Sequence, residues 1–284
     1  MDIYKMITDR ICEEMAKGII PWERPWTGAK MDGSSMAISY TSRRAYSFLN
    51  QMLLQEPGEY LTFNEIKKLG GKVLKGEKAR MIVFYTQAKF TKTNADGEEE
   101  IITYPLLKYY NVFHLNQTTG IKSKIVPGEV VEVESDARCE EIIANYLSIA
   151  KGLKFTNDIP SNRAYYCPST DSMVVPMPSQ FPHAAEYYST TFHEFVHSTM
   201  KKDRCDRVKE NEDSFFGNHA YSREELVAEM GSAMLCAIGG VETEKTFKNS
   251  VAYLQSWIKH LKNDTKMIVW AASRAEKAAS FILG

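Results

Sequence analysis

HEFVH, His193 to His197, is the segment around which the rest of this chain organises. On an α-helix, residues i and i+4 share a face, so His193 and His197 can offer imidazole nitrogens to one ion. Glu194 then faces the water held on the ion's remaining position. Zinc lowers the pKa of such a water toward neutrality, and a neighbouring carboxylate can take its proton and later return it to a leaving amine. The spacing predicts a zinc-peptidase helix, with His193 and His197 as metal ligands and Glu194 as the catalytic general base.

A third ligand is expected downstream. YSREELVAEMGSAML, Tyr221 to Leu235, reads as a helix, with Leu226, Val227, Met230, Ala233 and Met234 as its apolar stripe. Ser222 is a fair N-cap, and Glu225 three residues on completes a capping-box pattern. Glu225 and Glu229 stand four apart, so both carboxylates can point the same way. Two carboxylates on the buried side of a helix need a cation to neutralise them. Glu225 is read as the metal ligand and Glu229 as the group behind it, hydrogen-bonding a ligand histidine and fixing its tautomer. The capping role competes for Glu225, which leaves Glu224 and Glu229 open as alternatives. Tyr221 and His219 are the candidate donors to a tetrahedral intermediate, with His260 a more distant one. A substrate strand is expected to add to an exposed edge at Ser172 to Pro178. The ligand set implies one zinc ion per chain, and manganese or iron suits the same atoms.

Length and composition bound the rest. At 284 residues with 44% apolar content, the chain is long enough for two domains with sizeable cores. The five cysteines lie singly, without a CxxC pair, which points to reduced thiols, a cytoplasmic setting and no cysteine-ligated zinc. No signal-peptide pattern and no apolar run near 18 residues appears, so neither secretion nor a membrane partner is expected. With 35 basic and 36 acidic residues, the chain lacks the large acidic excess that mimicry of DNA requires, so that mode of action is not expected.

The best boundary is KIVPGEVVEVESDAR, residues 124–138. Before it, helices at 2–17 and from Thr62 to the Gly70-Gly71 pair alternate with strands at Arg80–Phe90 and Ile101–Phe113, joined across the polar NADGEEE loop. A small mixed sheet or a partly open barrel fits that pattern. After it, helices are expected at 136–152, 184–201, 222–238 and about 243–282, with an antiparallel strand pair at 163–176. The fold class is α+β, a small mixed α/β domain at 1–128 followed by a mainly helical, zincin-like domain at 136–284 with a small antiparallel sheet.

Several motifs together resemble one family. HEFVH followed by EELVAEMGSA, with YYCPSTDSMVVPMPSQF (Tyr165 to Phe181) ahead of them, is similar to the zinc metallopeptidase domain of ArdC-type antirestriction proteins. PWERPW (Pro21 to Trp26), Tyr46 and Asn50 of AYSFLN, YLTFNEIKKLGGKVLKGEKARMIVFY (Tyr60 to Tyr85) and YYNVFHLNQTTG (Tyr109 to Gly120) resemble the single-stranded-DNA-binding domain of the same proteins. The family usually has a glycine where Ser47 stands. The resemblance implies single-stranded DNA as a partner, protection of incoming mobile-element DNA during conjugation, and a gluzincin-type peptidase site acting on a protein or peptide.

Strand binding uses aromatic rings for bases and Lys or Arg for phosphates. Trp22, Arg24 and Trp26 in the proline-framed loop, Tyr40, Arg43 and Tyr46, and Lys72, Lys75 and Lys78 after the glycine turn are the candidates. Residues 1–130 hold 18 Lys and Arg against 15 Asp and Glu, so charge alone does not carry a nucleic-acid reading. Two alternatives stand beside the enzyme: a DNA-coating protein whose zinc domain is structural, and a cytosolic regulatory or toxin peptidase whose first domain recognises protein.

Overall fold

The computed structural model describes residues 2–22, 36–93, 99–125, 135–207, 219–241 and 251–284. The chain opens with α1 (Ile3–Ala16), whose N-cap Asp2 accepts the backbone N–H groups of Tyr4 and Lys5 and whose buried stripe is Ile7, Ile11, Cys12 and Met15. Next come β1 (Ala37–Ser39), α2 (Phe48–Leu54), β2 (Gly58–Thr62), α3 (Phe63–Lys68), β3 (Lys72–Val73), β4 (Arg80–Thr93), β5 (Glu99–His114) and β6 (Thr118–Thr119). The sheet is mixed and open, in the order β1-β2-β5-β4, with β1 parallel to β2 and the other pairs antiparallel; β3 and β6 form a separate ribbon. Helix α3 starts where expected, at Thr62, with a capping box in which Glu65 bonds back to the Thr62 backbone.

Helix α2 fastens this sheet from behind with two buried amides. Asn50 donates to Val83 O at 2.8 Å and accepts Val83 N–H at 2.7 Å. Gln51 does the same for Ala37, at 2.9 and 2.8 Å. One helix turn thereby pins β4 and β1. Ser47, just before α2, has φ −57°, a value open to any residue, so serine fits where the family prefers glycine.

The second half comprises α4 (Ser135–Ile149), β7 (Lys154–Thr156), β8 (Tyr165–Cys167), β9 (Ser172–Val174), α5 (Ala184–Ser198), α6 (His219–Gly239), α7 (Val251–Asn263) and α8 (Met267–Leu283). The expected β8–β9 antiparallel pair is joined by β7, which lies parallel to β9 and makes β9 the central strand. The single helix expected over 243–282 is two helices where described. Asp264 to Lys266 interrupts it, and α1 holds the break through Thr8 Oγ1, which donates to Thr265 O at 2.9 Å. Helix α8 presents a buried face of Ala271, Ala272, Ala275, Ala278 and Ala279, small enough to let α6 lie close.

One continuous buried cluster takes in α1, α2, β4, α5, α6 and α8. The middle of the expected boundary, residues 126–134, lies outside the described residues. No helix among the described residues is long and apolar enough to cross a membrane.

Candidate active site

Helix α5 buries Tyr187, Thr191, Phe192, Phe195, Val196 and Ser198, which turns His193 and His197 onto the face that remains. Their Nε2 atoms stand 3.1 Å apart. Helix α6 brings Glu225 against both, with its carboxylate oxygens 3.6 Å from His193 Nε2 and 3.5 Å from His197 Nε2. One ligand atom from each of the three lies within 4.8 Å of the others, and among the described residues this is the group with that geometry. The close approach of the two helices depends on Gly231, where a Cβ would sit 2.7 Å from Val196 Cγ2.

Helix α6 begins at His219, three residues earlier than expected, so Ser222 is buried within the helix rather than capping it. The competing role for Glu225 therefore disappears, and the carboxylate turns to the histidines. Burial pushes the Glu225 carboxyl up, but His193, His197 and Tyr221 outweigh it and hold it below its usual value. Burial likewise pushes His193 down, yet its hydrogen bond to Glu225 and the charges of Glu229, Glu194 and Glu225 lift it to about 9. The negative field that holds a proton on that ring is the field that attracts a dication. Two imidazoles and a carboxylate are a donor set for zinc or another first-row divalent ion.

The group behind the ligands differs from the expectation. Glu224, not Glu229, stands behind His197, with Oε1 3.6 Å from His197 Nδ1. Glu224 is in turn held by buried Arg207, at 2.7 Å to Oε1 and 3.2 Å to Oε2. Arg207 also donates to Thr199 Oγ1 and Val196 O at the end of α5. Glu229 lies one turn beyond Glu225 beside Tyr253; burial raises its carboxyl, and its Oε2 has no hydrogen-bond partner. The sequence offered no signal for Arg207, which sits between the two helices in a segment without periodicity.

A cleft of about 440 Å³ opens over His193, Glu194, His197 and Glu225, and Tyr165, Tyr166, Pro168, Met200 and Tyr221 line its sides. Tyr221, one turn before Glu225, has its phenol pushed up to about 12 by burial and by the Glu225 charge, so it keeps its proton as a donor at neutral pH. His219 is the first residue of α6, and its side chain lies outside the described ones. His260 packs on Trp257, its ring centroid 6.0 Å away, and does not line the cleft. The expected substrate edge also moves. Ser172 to Val174 form the central strand, paired on both sides, so β8 is the edge beside the cleft. The turn behind β8 is braced by Asp171, which accepts from Tyr166, Lys201 and Arg204.

The residues expected to contact a strand are dispersed. Trp22 is 0% exposed, packed edge-on against Trp257 at 6.5 Å, so its ring is core rather than a platform. Arg24 and Trp26 lie outside the described residues. Tyr40 is buried, donating to Lys122 O at 3.1 Å, with the Lys124 ammonium over its ring. Arg43, at φ +59°, is paired with buried Glu59. Lys72, Lys75 and Lys78 are exposed on and beside the β3–β6 ribbon. Tyr46 lines a groove against the sheet.

Comparison with known proteins gives the fold its family. Residues 1–113 match the model of the N-terminal domain of anti-restriction factor ArdC, and residues 141–274 match a zincin-like metallopeptidase model. The metal-free crystal structure of antirestriction ArdC from the R388 plasmid superposes with a TM-score of 0.72 at 31% identity, covering 99% of this chain and 97% of that one. The chain belongs to the ArdC family of antirestriction proteins. The Mn(II)-bound structure of the same R388 protein agrees equally well, with a TM-score of 0.73 at 30% identity. A DNA primase TraC of Escherichia coli is 31% identical over 300 residues, 99% of this chain, but the chain spans only 27% of that primase and 20% of a second one. The uncharacterized protein y4eC of Sinorhizobium fredii is 28% identical and 91% covered. The α+β class, the ArdC-type N-terminal domain and the zincin-like domain thus stand together, and the manganese-bound relative shows that this family's fold takes a divalent metal.

Proposed function

We propose that this chain is a metal-dependent peptidase of antirestriction, with residues 136–284 carrying the chemistry and residues 1–128 binding single-stranded DNA as it enters a cell. The observation that carries the reading is the convergence of His193, His197 and Glu225 at one end of a cleft that also holds Glu194 and a free strand edge. A site built only to stabilise the fold needs neither a buried carboxylate at Glu194 nor an open cleft.

His193, His197 and Glu225 would hold the ion, zinc by the chemistry of the donor set. When bound, it supplies Lewis acidity to a water and to a peptide carbonyl. The protein does the rest. The exposed edge of β8 aligns an extended peptide by main-chain hydrogen bonds, and Tyr165, Tyr166 and Met200 wall the space its side chains enter. Glu194 takes a proton from water as the C–O bond forms, then delivers it to the amine nitrogen as the C–N bond breaks. Tyr221 donates to the oxygen that gains charge, and Glu224 fixes the orientation of His197.

The test is survival of incoming unmodified DNA in a restriction-proficient recipient, comparing wild type with Glu194→Ala and checking metal content and oligonucleotide binding of both. Loss of protection with metal and DNA binding intact supports proteolysis as the working chemistry. Unchanged protection would leave strand coating as the function and refute the enzymatic reading.

A further inference from the structure

The alternation of β4 and β5 sorts their side chains between two faces. In register, Ile82 faces Tyr110, Phe84 faces Lys108 and Thr86 faces Leu106, all on one side. The inner part of that face, Ile82 and Val112, is covered by Ala37, Leu54 and Tyr60. The outer part is bare. Phe84 is 45% exposed and Tyr110 46%, their rings 5.8 Å apart, and Tyr46 stands 6.4 Å from Phe84. Large aromatic rings left in water on a sheet face mark a binding surface rather than a packed one.

We propose that this face, Phe84 and Tyr110 with Tyr46 at its margin, stacks the bases of a single nucleic-acid strand, whose phosphates run past Lys108 and Arg44. The proposal rests on the nucleic-acid role given above to the N-terminal half, and of the residues named from sequence it takes in Tyr46. Three observations select this occupant. The rings border a groove of about 580 Å³ between the sheet and the 39–47 loop, roomy enough for splayed bases. Arg44 and Lys108 are exposed, and among the described residues neither has a carboxylate partner. The carboxylate that does line the groove, Glu65, is already taken up by hydrogen bonds from Thr62 and Thr41.

Fluorescence anisotropy of the full chain with a labelled single-stranded oligonucleotide, and with the same sequence as a duplex, tests the site. Wild type should prefer the single strand. Phe84→Ala and Tyr110→Ala should each weaken it roughly 5- to 150-fold, the range for loss of one stacked base. Phe84→Tyr, which keeps a ring, should restore binding. Lys108→Gln should reduce the salt dependence of binding by about one phosphate contact. All three positions are exposed, and thermal melting of each of the four variants checks that the fold is kept. Tight binding by wild type that both alanine variants retain would overturn the site while leaving the DNA-binding reading standing. Equal affinity for the duplex would overturn the single-strand assignment. No binding of either by wild type would overturn the DNA-binding reading, and this site with it.

Discussion

Replacing Arg207 with methionine keeps most of the side-chain volume and removes the charge. Arg207 is 2% exposed and its partner Glu224 4%, so the variant takes a charged donor from a carboxylate held out of water. Val196 O and Thr199 Oγ1 lose the same donor. Breaking a buried ion pair from one side costs about 3–5 kcal/mol, a large share of the ~5–15 kcal/mol that holds a domain together. With Glu224 in the orienting role proposed above, metal affinity should fall as well, by about 10- to 100-fold. Urea unfolding of the metal-free proteins reads the first effect, and titration against a competing chelator reads the second. The double variant Arg207→Met with Glu224→Gln removes both charges and should recover part of the lost stability but none of the lost affinity. A loss under about 1 kcal/mol for Arg207→Met, with affinity unchanged, would refute both the pairing and its role behind His197.

Gly231→Ala drives a methyl group to 2.7 Å from Val196 Cγ2, so it should cost about 1–3 kcal/mol by urea unfolding, with Val196→Ala restoring part of it. Asn50→Ala strips Val83 N–H and O of their partner in a buried site, and each group left unpaired costs about 1–3 kcal/mol; hydrogen exchange at Val83 should rise along with the loss of stability. Burial raises the Glu276 carboxyl, an effect only partly offset by the Phe48 N–H it accepts. A raised folded value means its stabilising share is present below the unfolded carboxylate pKa and is lost as pH climbs through the folded one. Glu276→Gln keeps an acceptor without a charge, so its melting temperature relative to wild type should be higher at pH 8 than at pH 4; a constant difference would count against the assignment.

Spacing within helices was legible because it needs only periodicity. HEFVH put both imidazoles on one helix face, and EELVAE offered Glu225 with Glu224 and Glu229 as alternatives; the structure groups Glu225 with the two histidines. What stayed hidden depends on contacts between elements. Periodicity put Glu229 behind the histidines, whereas Glu224 stands beside His197, held by Arg207 from a loop with no pattern of its own. The start of α6 at His219 was obscured by Ser222 and Glu225, which mimic a cap inside a helix. Three-residue strands carry almost no periodic signal, so β7 and the edge position of β8 could not be read. Trp22 looked like a platform because tryptophan serves cores and interfaces alike, and only its contact with Trp257 from a distant helix decides. The exposed rings of Phe84 and Tyr110 sit in runs, MIVFY and KYYNVF, whose alternation gives two faces without saying which is covered.

The central claim is that the site formed by His193, His197 and Glu225 cuts peptide bonds with Glu194 as its base. Metal-loaded wild type and Glu194→Gln, matched for metal content, would be incubated with a proteome-derived peptide library and new termini mapped by mass spectrometry. The account predicts new termini with wild type, clustered by side-chain preference, and none with Glu194→Gln. Identical terminus maps for the two proteins, or a fully loaded wild type that cuts nothing, would contradict it.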